Sequence, residues 1–353
     1  MKTRSLFIIS TLLLLLSTGL SAQKVQSVRA WYESEGWQRP QTNPQLKVLP
    51  LIRVSGNVFV NEKGDTLLLR GLSISDPDKI ENQGHWNRAH FEKVKEMGAT
   101  VVRIPVHPVA WRERTPEGYL TLLDQAVSWC TELGMYVIID WHSIGNLEME
   151  LFQNPMYNTT KRETYEFWRT IAAHFKGHNT VAFYELFNEP TIYRGQLGSM
   201  SWKEWKEINE NMIRLIRAYD EEPIPLVAGL DWAYDLNPIR TDPIEAEGIA
   251  YVSHPYEHKR TRPWEPKWEE AFGFAAGQYP VMVTEFGFGL WGNQQLTEDH
   301  YAYHIIEYLE AKGISWVCWV FDPQWGPNLL KSWDKYDLTE SGEFFKKAMK
   351  GEL

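Results

Sequence analysis

The sequence has 353 residues, with 36 lysines and arginines against 46 aspartates and glutamates, and a formal net charge of −10. A surface of this sign repels phosphate backbones, so we expect no nucleic-acid partner. The chain contains only two cysteines, Cys130 and Cys318, which excludes a disulfide-rich scaffold and leaves a buried apolar core to stabilise the fold.

The N-terminus has the pattern of an export signal. Lys2 and Arg4 precede an apolar run at residues 6–16, and small residues follow up to Ala22. The run is shorter than the roughly 20 residues that a membrane-spanning helix needs. We therefore predict a signal peptide over residues 1–22, secretion to the periplasm or the exterior, and no membrane anchor after cleavage.

Residues 23–53 lack clear periodicity and contain three prolines, so they are interpreted as an extended N-terminal segment. Two short apolar runs, Gly56–Val60 and Thr66–Arg70, flank a polar turn and predict a hairpin whose second arm continues into a first barrel strand. Residues 54–353 are predicted to form one domain.

From there, short β-branched runs alternate with longer amphipathic ones. The predicted strands are Leu67–Leu72, Thr100–Pro105, Tyr136–Trp141, Ala182–Asn188, Pro225–Leu230, Ile249–His254, Val281–Glu285 and Ile314–Val320. The clearest predicted helices are His90–Met97, Leu122–Leu133, Lys161–Phe175 and Trp202–Tyr219. Apolar strands that alternate with helices indicate a parallel sheet covered by helices.

Eight such units favour an α/β fold in the form of a single (β/α)8 TIM barrel, preceded by the hairpin and the extended segment. The alternative is a doubly wound open sheet, which usually carries a glycine-rich phosphate turn after an early strand. The sequence contains no G-x-G-x-x-G or P-loop pattern, so the barrel is preferred. We expect the protein to be a monomer.

Polar residues cluster where the predicted strands end, which is the edge that carries the active site in such barrels. Glu189 and Glu285 follow the fourth and seventh strands, on opposite sides of the barrel. Two carboxyl groups across a glycosidic bond can act as acid/base and nucleophile, and a separation of about 5–5.5 Å leads to retention of configuration. A single glutamate in this place would more simply be a partner of Arg103 or of a helix terminus.

These motifs resemble glycoside hydrolase family 5 over nearly the whole barrel. In that family an Asn-Glu-Pro segment closing strand four supplies the acid/base, which corresponds to Asn188-Glu189-Pro190. A glutamate in a Glu-Phe-Gly context closing strand seven supplies the nucleophile, which corresponds to Glu285-Phe286-Gly287. The other recurrent residues of the family have counterparts in the same order, namely Arg103, His142, Asn188, His254, Tyr256 and Trp319.

The resemblance implies a role for each of these substrate-binding residues. Arg103 and the Tyr256 hydroxyl are expected beside the nucleophile, and Asn188 is expected to donate to the sugar 2-hydroxyl. His142 and His254 are expected to hydrogen-bond around the same sugar, which would stack on Trp319. Taken singly, each residue could equally serve in structure, as a core histidine or a packed tryptophan.

No cofactor and no catalytic metal are expected, because Asp140, His142 and His254 do not form an H-x-H or H-E-x-x-H pattern. Further tryptophans are predicted in loops on the same face, where several could line sugar subsites or pack against the barrel. They are Trp111, Trp232, Trp264, Trp291 and Trp325.

The resemblance implies a secreted endo-β-1,4-glycanase that hydrolyses a polysaccharide or oligosaccharide, with cellulose or mixed-linkage β-glucan as the first choice. A β-mannanase, a xyloglucanase or an exo-β-glucosidase would carry the same residues. A transglycosylase would differ only in its acceptor, and a noncatalytic polysaccharide-binding barrel would not need both Glu189 and Glu285.

Overall fold

The computed structural model describes residues 49–191, 197–290 and 294–353. The predicted signal peptide, residues 1–22, and most of the predicted extended segment lie outside the described residues. Within them, no helix is long and apolar enough to cross a membrane.

Eight parallel strands close into a barrel, which confirms the predicted fold. In chain order they are β4 (Arg70–Ile74), β5 (Val101–Val106), β6 (Tyr136–Trp141), β9 (Val181–Glu185), β11 (Ile224–Ala228), β12 (Ala250–Val252), β13 (Val281–Val283) and β14 (Ser315–Phe321). Each strand pairs with its neighbour in the chain, and β14 pairs with β4 to close the ring.

Within the described residues, six short strands lie outside the barrel. Three form an antiparallel sheet before it, β1 (Arg53–Ser55), β2 (Val58–Val60) and β3 (Thr66–Leu67), and three form a small sheet beside the active end, β7 (Ile144–Asn146), β8 (Leu151–Phe152) and β10 (Glu189–Pro190). The predicted hairpin thus forms two strands of a three-stranded sheet. The third strand, β1, begins at Arg53, the last residue of the segment predicted to be extended.

Helices cover the barrel between the strands. In the described part of the chain they span Pro77–Asn82, Arg88–Glu96, Pro108–Arg114, Pro116–Leu133, Lys161–His174, Trp202–Arg217, Glu265–Ala271, Tyr301–Ala311 and Glu340–Lys350. The four helices predicted from sequence are all present, with ends shifted by a few residues except for Leu122–Leu133, whose helix begins earlier at Pro116. The early start is explained by Thr115, whose side chain caps the helix, and by proline at the first helical position.

The sheet β1–β3 closes the amino-terminal end of the barrel. Ile52 and Phe59 belong to the apolar core together with residues near the strand beginnings, such as Val101 and Ile224, and the Phe59 ring meets Phe183 edge-on at 5.2 Å. The carboxyl-terminal end of the barrel is by contrast rich in buried charged and polar side chains.

Four strands were predicted to run too far. The predictions reached Asn188, Leu230, His254 and Glu285, whereas the strands end at Glu185, Ala228, Val252 and Val283. At the carboxyl-terminal rim the backbone stops pairing with the neighbouring strands and turns into the loops, although the side chains there remain buried. Apolar periodicity does not register this change, because burial continues where strand pairing stops.

Candidate active site

The structure brings all eight predicted site residues together at the carboxyl-terminal rim of the barrel. Arg103 projects from the middle of β5 and Trp319 from β14, while His142 follows β6 directly. The others stand just beyond their strands, where loops turn back over the barrel: Asn188, Glu189, His254, Tyr256 and Glu285.

Glu189 and Glu285 face each other across the centre of this rim. Each residue is only 7% exposed, and one carboxylate oxygen of each lies within 4.8 Å of the other. A pair this close leaves no room for a water molecule between the carboxylate and a bound sugar, which is the geometry of a double displacement through a covalent intermediate.

Arg103 is the fully buried cation of the site. Its guanidinium donates to both oxygens of Glu185 at 2.7 and 3.1 Å and to Glu285 Oε2 at 2.9 Å. It also lies 2.9 Å from Asp140. Burial lowers the pKa of Arg103, but the charges of Asp140, Glu185 and Glu285 more than offset this, and the net pKa is raised. The guanidinium is therefore a permanent positive charge.

Both oxygens of Glu285 are held. Arg103 donates to Oε2, and the Tyr256 hydroxyl donates to Oε1 at 2.9 Å. Burial raises the pKa of Glu285 from its ordinary value, although Arg103, His254 and Tyr256 act in the opposite direction. Burial and the charge of Glu285 also raise the pKa of Tyr256, which stays a neutral donor. The fixed carboxylate can present an oxygen to an anomeric carbon above it.

His254 connects Glu189 to the barrel interior. Its Nδ1 lies 3.1 Å from Glu189 Oε1, and its Nε2 lies 3.0 Å from the Thr284 hydroxyl. Because that hydroxyl donates to Glu185 at 2.8 Å, it accepts from His254 Nε2. Burial lowers the pKa of His254, but the hydrogen bonds to Glu185 and Glu189 and the nearby negative charges have a larger effect in the opposite direction, so the net pKa is raised. His254 can therefore face Glu189 in either protonation state.

Asn188 has one end fixed and the other available. Its Oδ1 accepts from Arg103 at 2.6 Å, which directs the amide nitrogen the opposite way. Nδ2 is buried and has no hydrogen-bond partner among the described residues. A buried donor without a partner is costly, so this nitrogen is suited to a hydroxyl group of a bound sugar.

Aromatic rings form a floor beside the two glutamates. The Trp319 ring lies 5.3 Å from His142 at an interplanar angle of 1°, and 6.1 Å from Trp325 at 10°. His142 is held by Asp140 Oδ2, 2.6 Å from Nδ1. Burial, together with nearby His107 and Arg103, lowers the pKa of His142, so the ring is neutral. Flat, weakly polar faces of this kind stack against the C–H faces of sugars.

Four of the five tryptophans predicted in loops lie in the described residues, and their environments differ. Trp325 extends the floor, and Trp232 lines a cavity of about 510 Å³ together with Glu189 and Glu285. Trp111 lies in a helix and is buried against Phe167, so its predicted place in a loop is wrong. Trp264 is also buried, stacked on Trp268, and Trp291 lies outside the described residues.

Sequence reasoning missed Glu185 and Thr284, and considered Asp140 only as a metal ligand. Glu185 ends the strand Val181–Glu185 and is otherwise preceded there by apolar and aromatic residues. A buried charge in such a strand requires a partner, and this was the signal that could have revealed it. Thr284 gave no signal of its own, since a buried threonine is common.

Three side-chain atoms of Glu189, His254 and Glu285 lie close enough to hold a metal ion. The donor set is poorly suited to a cation, because the Arg103 guanidinium already lies 2.9 Å from Glu285 and Tyr256 donates to its other oxygen. The absence of a catalytic metal stays a prediction.

The chain matches the family model described as cellulase (glycosyl hydrolase family 5) over residues 60–324. It is similar to an endoglucanase of Clostridium saccharobutylicum, with 26% identity over 85% of this chain and 65% of that protein. Endoglucanase E-5 of Thermobifida fusca is 24% identical over 80% of this chain and 58% of that protein. The chain thus spans about three fifths of the length of these relatives.

Among solved structures, a beta-glucanase of Saccharophagus degradans in complex with cellotetraose shares 42% identity and superposes with a TM-score of 0.85. The alignment covers 92% of this chain and 99% of that one. The catalytic domain of Thermobifida fusca endoglucanase shares the fold, with a TM-score of 0.69 at 22% identity.

Proposed function

The chain belongs to glycoside hydrolase family 5, and from this premise we propose that it is a retaining endo-β-glucanase that cleaves cellulose or mixed-linkage β-glucan. The observation that carries the proposal is the close pair Glu189 and Glu285, with Arg103 and Tyr256 fixing the second carboxylate. The names of the relatives and the cellotetraose bound to the Saccharophagus degradans enzyme support β-glucan as the substrate class.

In the first step, a Glu285 oxygen attacks the anomeric carbon while Glu189 gives its proton to the departing glycosidic oxygen. The C–O bond of the substrate breaks, and an ester forms between the sugar and Glu285. The positive charge that develops on the sugar ring is stabilised by the carboxylate, and Asn188 strengthens its bond to the 2-hydroxyl as the ring flattens.

In the second step, a water molecule attacks the same carbon from the face that the leaving sugar has vacated. Glu189, now ionised, accepts the water proton, and Glu285 is released as a carboxylate. His254 supports both states of Glu189: its Nδ1 accepts from the carboxylic acid when the ring is neutral and donates to the carboxylate when the ring is protonated.

The test is release of reducing sugar from β-glucan, glucomannan, mannan, xyloglucan and xylan by the wild type and by Glu285→Gln. We expect activity on β-glucan that disappears in the variant, and proton NMR that shows the β-anomer as the first product. Loss of a general acid typically costs about 10²–10⁴-fold, so Glu189→Ala should slow cleavage by that factor. Activity that is indifferent to Glu285 would overturn the assignment.

We further propose that the protein is exported through residues 1–22 and acts as a monomer. The basic start, the short apolar run and Ala22 support export. N-terminal sequencing of protein recovered from the periplasm and the medium tests the cleavage site, and light scattering tests the monomer.

A further inference from the structure

The turn that carries Trp232 has an unusual backbone. Asp231, Trp232 and Ala233 have φ angles of 60°, 55° and 58°, although none of them is glycine. The left-handed region is disfavoured for each residue with a Cβ atom, and a run of three adds these costs. A segment of this kind persists only where neighbouring groups hold it in place.

Lys259 is the side chain that holds it. Its ammonium donates to the carbonyl of Asp231 at 2.9 Å and to that of Trp232 at 3.2 Å, so it bridges two successive peptide groups of the turn. The same nitrogen lies 5.4 Å from the centre of the Trp232 ring. Arg260 adds a weaker ion pair with Asp231 at 3.5 Å.

The turn positions the Trp232 indole over the catalytic cavity. Its ring nitrogen donates to Gln153 at 2.9 Å, which fixes the far edge of the ring. Trp232 and Lys259 line the cavity with Glu189 and Glu285, and the turn packs against the strand Glu189–Pro190. In the proposed reaction Glu189 protonates the leaving oxygen, so this side of the cavity receives the departing sugar.

We propose that Lys259 is a positioning residue that holds Trp232 against the sugar on the leaving side of the scissile bond. The inference rests on the proposed endo-β-glucanase function and deepens it. Lys259 does not act on the reacting atoms. It acts through Trp232.

The test compares two substrates that differ only on the leaving side. Cellotetraose places sugars on the leaving side, whereas β-cellobiosyl fluoride releases only a fluoride ion and places no sugar there. Lys259→Met removes the ammonium but retains most of the stem, and Lys259→Gln is a milder second variant in case the first does not fold. Lys267→Met is the matched control, because Lys267 donates to the backbone carbonyls of Thr261 and Arg262 and is not among the residues that line the cavity.

We expect the ratio of kcat/KM for cellotetraose to kcat/KM for the fluoride to fall about tenfold in the Lys259 variants, the loss expected for charged hydrogen bonds. The control should keep the wild-type ratio. Trp232→Ala should lower the ratio as well, and adding Lys259→Met to it should lower the ratio no further, since both act through one ring. Adding Ala233→Gly to the Lys259→Met variant should recover part of the lost ratio, because glycine adopts positive φ without strain.

An unchanged ratio in the Lys259 variants, or additive effects with Trp232→Ala, would overturn the positioning role while the proposed function stands. Equal losses on both substrates would also overturn it, since Lys259 would then act on the chemical step. A wild type that turns over neither substrate would overturn the proposed function and this inference together.

Discussion

Arg103 Nη1 lies 2.9 Å from Glu285 Oε2, and the guanidinium is completely buried. The same guanidinium also pairs with Glu185 and Asp140, so three acidic side chains share one buried arginine. The candidate nucleophile is therefore part of the buried ionic core of the barrel, and its protonation cannot be separated from the stability of the fold.

Arg103→Met should lower the free energy of unfolding by about 3–5 kcal/mol, because it leaves buried carboxylates without a counter-charge. Urea denaturation followed by fluorescence measures this loss. The matched control is Arg70→Met, which removes an equally bidentate partner from Glu310 at the half-exposed surface. That change should cost at most about 1 kcal/mol, since water screens the remaining charge. Equal losses in the two variants would contradict the account.

Tyr256→Phe should shift the acid limb of the pH profile of kcat/KM to higher pH. Glu285 must be ionised to attack, and its pKa is already raised from the ordinary value of 4.5. The Tyr256 hydroxyl stabilises the ionised form, so its removal raises that pKa further. The phenol of Tyr308 bonds Glu269 outside the barrel, and Tyr308→Phe should leave the limb in place. A limb that moves to lower pH would contradict the assignment.

Glu185→Gln should destabilise the protein most at neutral pH. The pKa of Glu185 is lowered to about 2 despite burial, because Arg103 and His254 stabilise its charge. Ionised Glu185 therefore contributes stability that is fully present above the unfolded value of 4.5 and is lost as the pH falls towards 2. The difference in unfolding free energy between wild type and variant should shrink by about 3 kcal/mol over this window. A difference that is constant from pH 6 down to about pH 3 would refute the linkage.

Asn188→Ala should lower kcat/KM by about 10²-fold, the share expected of a bond to the 2-hydroxyl that strengthens in the transition state. The loss should fall mainly on kcat, because the bond is weaker in the ground state. Asn209→Ala is a suitable control, since Asn209 is equally buried but lies in the helix Trp202–Arg217, away from the site. It should change stability and leave kcat as it is. A purely KM effect for Asn188→Ala would indicate uniform binding instead.

The barrel could be predicted from the sequence because each strand is buried on both faces, so that continuous apolar runs alternate with amphipathic helices. Tyr136–Trp141 was predicted to the residue. The two candidate catalytic glutamates could be predicted because barrel geometry brings every strand end to one rim, whereas the six candidate substrate-binding residues were predicted from the resemblance to the family. The hydrogen bonds of these residues could not be predicted, since the sequence offers several acidic partners for Arg103. Only the packing of the barrel decides that Arg103 Nε and Nη2 both donate to Glu185.

The turn at Trp232 shows a different limit. Nothing in Leu230–Asp231–Trp232–Ala233 marks three positive φ angles, because glycine and asparagine are absent from these four positions. The conformation is imposed by Lys259, more than twenty residues later in the chain, and local propensity carries no information about such a contact.

The two ends of the barrel have opposite consequences for protein engineering. Replacing a buried ionic cluster with apolar side chains of matching volume is often neutral or stabilises a protein by about 1–4 kcal/mol, so we expect a barrel without the Arg103 network to be at least as stable as this one. Selection for heat resistance alone would therefore tend to erode activity at that end. The sheet that closes the opposite end, around Phe59 and Ile52, contains none of the reacting groups, and its packing can be improved without exchanging activity for stability.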